Sequence, residues 1–355
     1  MIDVFYKIVA LHEAGVGVHL HCYENHRPHA SELENYCASV HYYPRKVGFS
    51  ANFGTTPYIV AGRMSEALVL NLLNDDYPIL FEGLHTCGLM RDRRLRGRFL
   101  VYRESNIEHH YYFHLFRAEK NLGRKLFFLV ESARLKLFQK VLVHASLMLP
   151  VSQEDTRYLL SVFPGKRIIT LPSFHRYNGL NILTGQGNYA LYHGNLSVAE
   201  NSVAAEYLVT RVWEDSFPEL IIAGLYPPGW LLKLSGNRPN IRFIANPSDE
   251  EMLRLIREAQ LNIMVTFQPT GLKLKLLNAL FNGRFCLVNP QMVTGTSLGE
   301  LCVMAPDAAG LKKEVLAHFI QPFTGALITR RETILMAGYS NQINCKLLME
   351  ILNLR

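Results

Sequence analysis

Apolar residues recur along this chain in two alternating rhythms. Val4, Ile8 and Leu11 stand at helical spacing ahead of Gly15, a natural carboxyl-terminal stop, and Val16 to Cys22 follows with the period-two alternation of a strand. The same beat predicts strands at 40–43, 79–82, 99–103, 147–151, 189–193, 220–223, 241–245, 261–265 and 285–288. Helical stretches lie between most of them, at 66–73, 199–212, 250–259 and 272–281, and a last helix runs from Ser340 to Leu352. Strands alternating with helices predict parallel sheets covered on both faces, an α/β fold of doubly wound domains. Periodicity lapses and turn formers cluster from Ser173 to Asn188, which puts a boundary near residue 185. The expected domains are 1–185 and 186–338, with a terminal helix in 339–355.

One stretch breaks the rhythm. From about Glu108 to His144 the chain reads as a single long helix carrying Arg117, Lys120, Arg124, Lys125, Arg134, Lys136 and Lys140 beside Phe116, Phe127, Phe128, Leu129 and Phe138. It is either a basic amphipathic surface touching anionic lipid or a helix with one buried and one solvated face.

Composition narrows the class. A chain of 355 residues with 49% hydrophobic and 19% charged residues can bury two cores, which excludes a disordered, collagen-like or disulfide-stapled chain. No run approaches the roughly 18 apolar residues of a membrane span. Six scattered cysteines form no C-x-x-C and no zinc spacing, and no basic head with an apolar centre follows Met1. A reducing, cytoplasmic setting is expected, with no metal. The formal charge of +7 suits phosphate-bearing ligands or an anionic membrane, and no motif beyond charge supports nucleic acid.

In such sheets ligands bind beyond the carboxyl ends of the strands. The richest such loop is Thr266 to Lys275, where Pro269 and Gly271 open a helix whose unpaired N–H groups and dipole favour a phosphate, with Lys273 and Lys275 in its first turns. In His193 to Asn201, Ser197 and Glu200 form a capping-box pattern, as do Ser248 with Glu251 and Ser152 with Asp155. Phe81 to Gly88, with His85, and Arg103 to His110 run polar off two strands of the first half, as a ligand cleft would. Any one of the 14 histidines can equally be a satisfied or solvated side chain. The chain has no G-x-S-x-G, H-E-x-x-H or P-loop.

The stretches Leu191-Tyr192-His193-Gly194-Asn195-Leu196-Ser197, Ile241 to Pro247 and Gly271 to Gly283 resemble successive motifs of the group 1 glycosyltransferases. These are retaining, nucleotide-sugar-dependent enzymes with two Rossmann-like domains facing across a cleft, the GT-B fold. The resemblance implies that the terminal helix crosses back to the first domain. It implies that Phe243, Ile244 and Asn246 lie against the nucleotide base, and that Gly271, Leu272 and Lys273 offer amides to the diphosphate. Gly194, Asn195, Thr270 and Asn278 complete the donor site, and Lys275 pairs with phosphate charge. His85 falls where the family places a histidine near the reacting sugar, and Arg103, Asn106 and Glu108 resemble a polar segment lining the same cleft. The implied activity moves a sugar from a nucleotide diphosphate donor, without cofactor or metal, to a glycan or lipid-linked acceptor. A donor phosphate oxygen helps deprotonate the acceptor. The cysteines and the basic stretch from Glu108 to His144 set the expected location as cytoplasmic, peripheral on the inner face of the membrane.

Three departures accompany the likeness. Thr270 and Asn278 replace a pair of glutamates that hold sugar and ribose hydroxyls, and Asn195 and Glu200 stand for an Arg and a Lys. Family members also have a strand and a Gly-rich loop ahead of the helix that opens this chain, so the first domain is expected to be amino-terminally truncated. A missing central strand leaves unpaired ladder groups, at about 1–3 kcal/mol for each one buried, and an apolar slot. The alternative function is a non-catalytic, glycosyltransferase-like binding or partner module.

Overall fold

The computed structural model of this chain describes residues 2–24, 29–48, 54–119, 121–234, 236, 238–267 and 274–354. Two units emerge, one running to Arg176 and resuming at Gly338, the other spanning Tyr177 to Ala337.

The first unit opens with α1 (Ile2–Glu13), which buries Lys7, Ile8, Ala10 and Leu11, and continues into β1 (His19–Glu24) and β2 (Ser39–Pro44). The short α2 (Tyr58–Ala61) and α3 (Glu66–Leu72) follow, and then β3 (Ile79–Glu82) and β4 (Leu100–Arg103). Beyond them come α4 (Glu108–Ala118), α5 (Leu122–Phe138), β5 (Leu147–Leu149) and α6 (Gln153–Val162), which Ser152 caps through the Asp155 N–H at 3.1 Å. All described pairings are parallel: β1 with β2, and β3–β4–β5 in that order. One face of β3–β5 packs Phe81, Tyr102 and Met148 under α3 and α5, and the other packs Val101, Leu147 and Leu149 with α1.

Strands β1 and β3 do not pair with each other. Between them lies a cleft of about 290 Å³ lined by Val18 and Leu20 of β1, Leu80 of β3, Ile8 and Leu11 of α1, and Leu68 of α3. Ladder bonds on either side fix its polarity: the Val18 carbonyl accepts from Ala38, while the Ile79 and Gly83 amides donate to Phe99 and Arg103. Backbone groups alternate in direction along a strand. His19 and His21 of β1 and Leu80 and Glu82 of β3 therefore aim their backbone polar groups into the cleft.

The stretch from 108 to 144 is not one helix. It breaks after Ala118, Asn121 caps α5 by accepting the Arg124 N–H at 3.0 Å, and a 3₁₀ segment, Gln139–His144, ends it. Asn competes with the helix for backbone bonds and so favours a cap, a local signal that the long apolar periodicity concealed.

The second unit begins with β6 (Tyr189–Asn195) and α7 (Ala199–Tyr207), the latter continued by a π-helical turn, Leu208–Val212. It proceeds through β7 (Glu219–Leu225), α8 (Gly229–Lys233), β8 (Ile241–Ala245), α9 (Asp249–Glu258) and β9 (Leu261–Met264). It closes with α10 (Leu274–Asn282), β10 (Phe285–Val288), α11 (Pro290–Val293), β11 (Val303–Met304), α12 (Ala308–Phe319) and α13 (Gly325–Tyr339). The six strands are all parallel in the order β11-β10-β9-β6-β7-β8. Strand order reverses between β6 and β9, the switch point at which doubly wound sheets open a crevice.

The boundary near 185 moves to Arg176/Tyr177, because Gly185 exchanges two backbone bonds with Phe323, at 2.9 and 2.8 Å, and is thereby part of the second unit. The last helix, α14 (Asn341–Leu352), buries Cys345, Leu348 and Ile351 in the core that holds Ala10 and Leu11 of α1. No described helix is long and apolar enough to cross a membrane.

Candidate functional site

In the second unit the carboxyl ends of β6 and β7 approach closely. A Cβ on Gly224 would stand 1.9 Å from the Gly194 carbonyl oxygen, so only glycine fits there. His193, at the end of β6, is buried, and its Nε2 has no hydrogen-bond partner among the described residues. Burial, and then the adjacent Lys275 charge, push its pKa down to about 3, so the ring is neutral near pH 7.

Lys275, one residue into α10, reaches back to β6. Its Nζ donates to Asn201 Oδ1 at 3.1 Å and lies 5.3 Å from the Tyr192 ring centroid. Asn201 in turn donates from Nδ2 to the Asn195 carbonyl at 2.9 Å, and its own carbonyl accepts from the Tyr192 hydroxyl at 3.0 Å. An ammonium is thus seated at the switch point beside a neutral imidazole. That combination can receive the negative charge of a phosphate.

Gly194 and Asn195 end β6, but the Asn195 side chain folds onto its own loop and accepts from the Ser197 amide at 3.0 Å and hydroxyl at 2.7 Å. The capping box proposed for Ser197 and Glu200 does not form. Val198 is the residue before α7, Ser197 is held by Asn195, and the Glu200 carboxylate accepts from the Thr266 hydroxyl instead. Tertiary partners outcompete the local cap. The boxes at Ser152 and Ser248 do cap, the latter accepting from the Glu251 amide at 3.1 Å.

At the end of β8, Phe243 packs on the sheet core and Ile244 is half-buried. Asn246 has a φ of +53° and its Oδ1 accepts from the Tyr226 amide at 2.8 Å, which ties the β8 turn to that of β7. Asn278 lies one turn along α10 from Lys275, and its Oδ1 accepts from Asn282 Nδ2 at 3.1 Å. Thr270, Gly271, Leu272 and Lys273 lie outside the described residues.

In the first unit, Gly83 ends β3 with a φ of +82° and launches the 3₁₀ helix Leu84–Arg91 that carries His85. His85 Nδ1 sits 3.6 Å from Glu108 Oε1, at the first residue of α4. Glu104, fully buried, accepts from the Tyr102 hydroxyl at 2.7 Å and the Asn106 amide at 3.0 Å. Burial pushes its carboxyl well above the usual range, and its bonds to Tyr102 and Asn106 hold the loop that carries Asn106 and Glu108. His85, Asn106 and Glu108 are therefore gathered at the ends of β3 and β4 as partly exposed polar groups.

Arg103 is different, and the expectation that it lines a ligand cleft is corrected. Its side chain is fully buried and its donors are used internally: Nη1 on the Leu149 and Leu171 carbonyls, Nη2 on the Pro172 carbonyl and, at 3.2 Å, on Asp3. It fastens α1 to the carboxyl end of β4. Asn201, Thr266 and His193 carry polar roles that sequence reasoning did not assign. The signal for Asn201 was only its place one turn into a helix after a strand-end glycine.

Gly83→Ala tests how His85 is placed. The added Cβ would stand 2.6 Å from His85 Cε1, at φ +82° and ψ 155°, an essentially glycine-only region that costs an L residue about 1–3 kcal/mol. A loss of that size in urea unfolding is expected, together with displaced His85 ring resonances.

No family model and no curated protein sequence matches the chain. Solved structures do. Sucrose-phosphate synthase from Thermosynechococcus elongatus is similar with a TM-score of 0.70 at 14% identity, over 99% of this chain and 92% of that one. Anabaena HepE, solved in complex with UDP and glucose, gives 0.64 at 12% over 99% and 95%. A trehalose-6-phosphate synthase solved in work on glycosyltransfer with retention gives 0.63 at 9% over 99% and 97%. All three are proteins of the GT-B fold, and this chain has that fold.

Proposed function

We propose that the chain is a glycosyltransferase that takes a nucleotide diphosphate sugar as donor and passes the sugar to a glycan or lipid-linked acceptor. The observation that carries the reading is the corner at the second unit's switch point, where Lys275 Nζ is held beside neutral His193 at the start of α10. A leaving diphosphate gains negative charge as the glycosidic bond breaks, and a preorganised ammonium with helix-start amides stabilises that charge. Fold relatives such as HepE, bound to UDP and glucose, support the same reading. On it Lys275 balances phosphate charge and Phe243, Ile244 and Asn246 receive the base, with Gly194 and Asn195 beside the donor. Asn278 reaches donor hydroxyls through its amide nitrogen, while Thr270, Gly271, Leu272 and Lys273 supply the remaining donor contacts. His85, Asn106 and Glu108 receive the sugar and acceptor. No side-chain nucleophile is required if a donor phosphate oxygen takes the acceptor proton, and the anomeric configuration is then retained.

Titration calorimetry with UDP, GDP, ADP and CDP tests the donor site: at least one is expected to bind, and silence from all four overturns the reading. A second reading, a binding module without transfer, is favoured by Asn278, whose Oδ1 is already engaged by Asn282 where a charged group would grip a hydroxyl more strongly. It predicts nucleotide binding with no sugar transferred to any acceptor.

A further inference from the structure

Helix α5 is amphipathic in an unusual sense, since part of its outer face is apolar. Inward it buries Glu131, Ser132, Leu135 and Phe138. Outward it presents Leu122, Leu126, Leu129, Val130 and Leu137, with Leu122, Leu126 and Leu137 exposed to 81%, 63% and 65%. At 3.6 residues per turn these five fall within an arc of about 100°, one continuous stripe along the helix. Isolated exposed leucines are ordinary, whereas a stripe of them marks an interaction surface.

The charges beside the stripe say what covers it. Lys125 and Lys136 flank one edge on the helical projection, Arg124 stands exposed in the first turn, and Lys140 is exposed just beyond the last. The only acid between Leu122 and Lys140 is Glu131. It is fully buried, pairs with Arg134 at 2.9 Å and accepts from the Tyr58 amide at 2.8 Å, so it does not offset the field outside. Glu119, just ahead of the helix, lies 4.0 Å from Arg124 and offsets it, which leaves a leucine-rich surface bordered by Lys125, Lys136 and Lys140.

We infer that this face docks on an anionic bilayer, independently of the transfer chemistry proposed above. Leucines of the stripe enter the boundary between headgroups and acyl chains, and Lys125, Lys136 and Lys140 meet lipid phosphates. A second copy fits less well, because a two-fold contact across the stripe sets the lysines of one chain against those of the other.

The test uses the full chain in flotation with vesicles of phosphatidylcholine alone and of phosphatidylcholine mixed with phosphatidylglycerol. The chain is expected to float only with the anionic vesicles and to be released by high salt. The pair Leu126→Ser with Leu137→Ser, and separately Lys125→Glu with Lys136→Glu, are each expected to weaken binding at least tenfold while leaving the circular dichroism spectrum unchanged. Three outcomes overturn the inference: wild type that stays with the unbound fraction in both mixtures, a serine pair that floats like wild type, or a wild-type dimer on sizing with light scattering that the serine pair dissolves.

Discussion

Asp3→Ala is expected to lower the unfolding free energy by about 3–5 kcal/mol, the cost of stranding a buried charge whose partner is removed. Asp3 Oδ1 accepts from Arg103 Nη2 at 3.2 Å and from the Phe174 amide at 2.6 Å, and Oδ2 accepts from Lys7 Nζ at 3.2 Å. Lys7 also pairs with Glu82 at the end of β3. The arrangement fastens α1 across β3, β4 and the segment at Phe174, and Arg103 has no water to turn to if Asp3 is lost. A double variant, Asp3→Ala with Arg103→Met, is expected to recover part of the loss, since it removes the orphaned charge as well. Equilibrium urea unfolding of the single and double variants measures both, and a single variant as stable as wild type contradicts this account.

The same carboxylate sets a pH dependence. Burial alone would raise its pKa, but the Lys7 and Arg103 charges, with the bonds from Arg103 and Phe174, outweigh that and hold it well below the usual carboxylate range. A folded pKa below the unfolded one means that the unfolded chain binds protons first as pH falls. Its contribution is therefore complete above about pH 5 and is lost progressively as pH falls below the unfolded value near 3.9 toward the folded one. Asp3→Asn should flatten the acid limb of the stability curve.

Lys275→Ala is expected to lower the rate of sugar transfer at least tenfold, about 1.4 kcal/mol of transition-state stabilisation, without unfolding the chain. The ammonium is half-buried, donates to Asn201 and faces the Tyr192 ring, so it sits at the rim of the core and not within it. If it acts on the departing diphosphate, the fall is in kcat, and Lys275→Arg restores part of it. A fall confined to KM would instead mark uniform binding of the ground state. Transfer of radiolabelled sugar at wild-type rate by Lys275→Ala would remove this residue from the chemistry.

Much of the architecture was legible in local pattern. Strands 79–82, 241–245 and 285–288 form where the sequence places them, because a strand of a helix-covered parallel sheet is a short apolar run bounded by turn formers. The carboxyl-end loops after β3, β4 and β6 hold their expected polar residues for the same reason: loop chemistry follows the strand that delivers it. Less legible were α12 and α13 and the short β11, whose mixed faces give weak periodicity. Arg103 looked like a ligand residue because a strand-end arginine beside polar groups has one sequence signature whether it faces solvent or core. Ser197 and Glu200 looked like a cap, and Asn195 and Thr266 claimed them.

The sequence by itself determined the alternation of strand and helix, the parallel sheets that alternation requires, and the polar loops at their ends. These follow from periodicities of two and 3.6 residues, which are local and need no partner to be read. Only the tertiary structure decided that Asp3 binds Arg103 a hundred residues away and that Arg103 lies in the core. It also decided which stripe of α5 stays in solvent. A side chain's pattern tells what kind of neighbour it needs, and the folded chain selects which neighbour it gets.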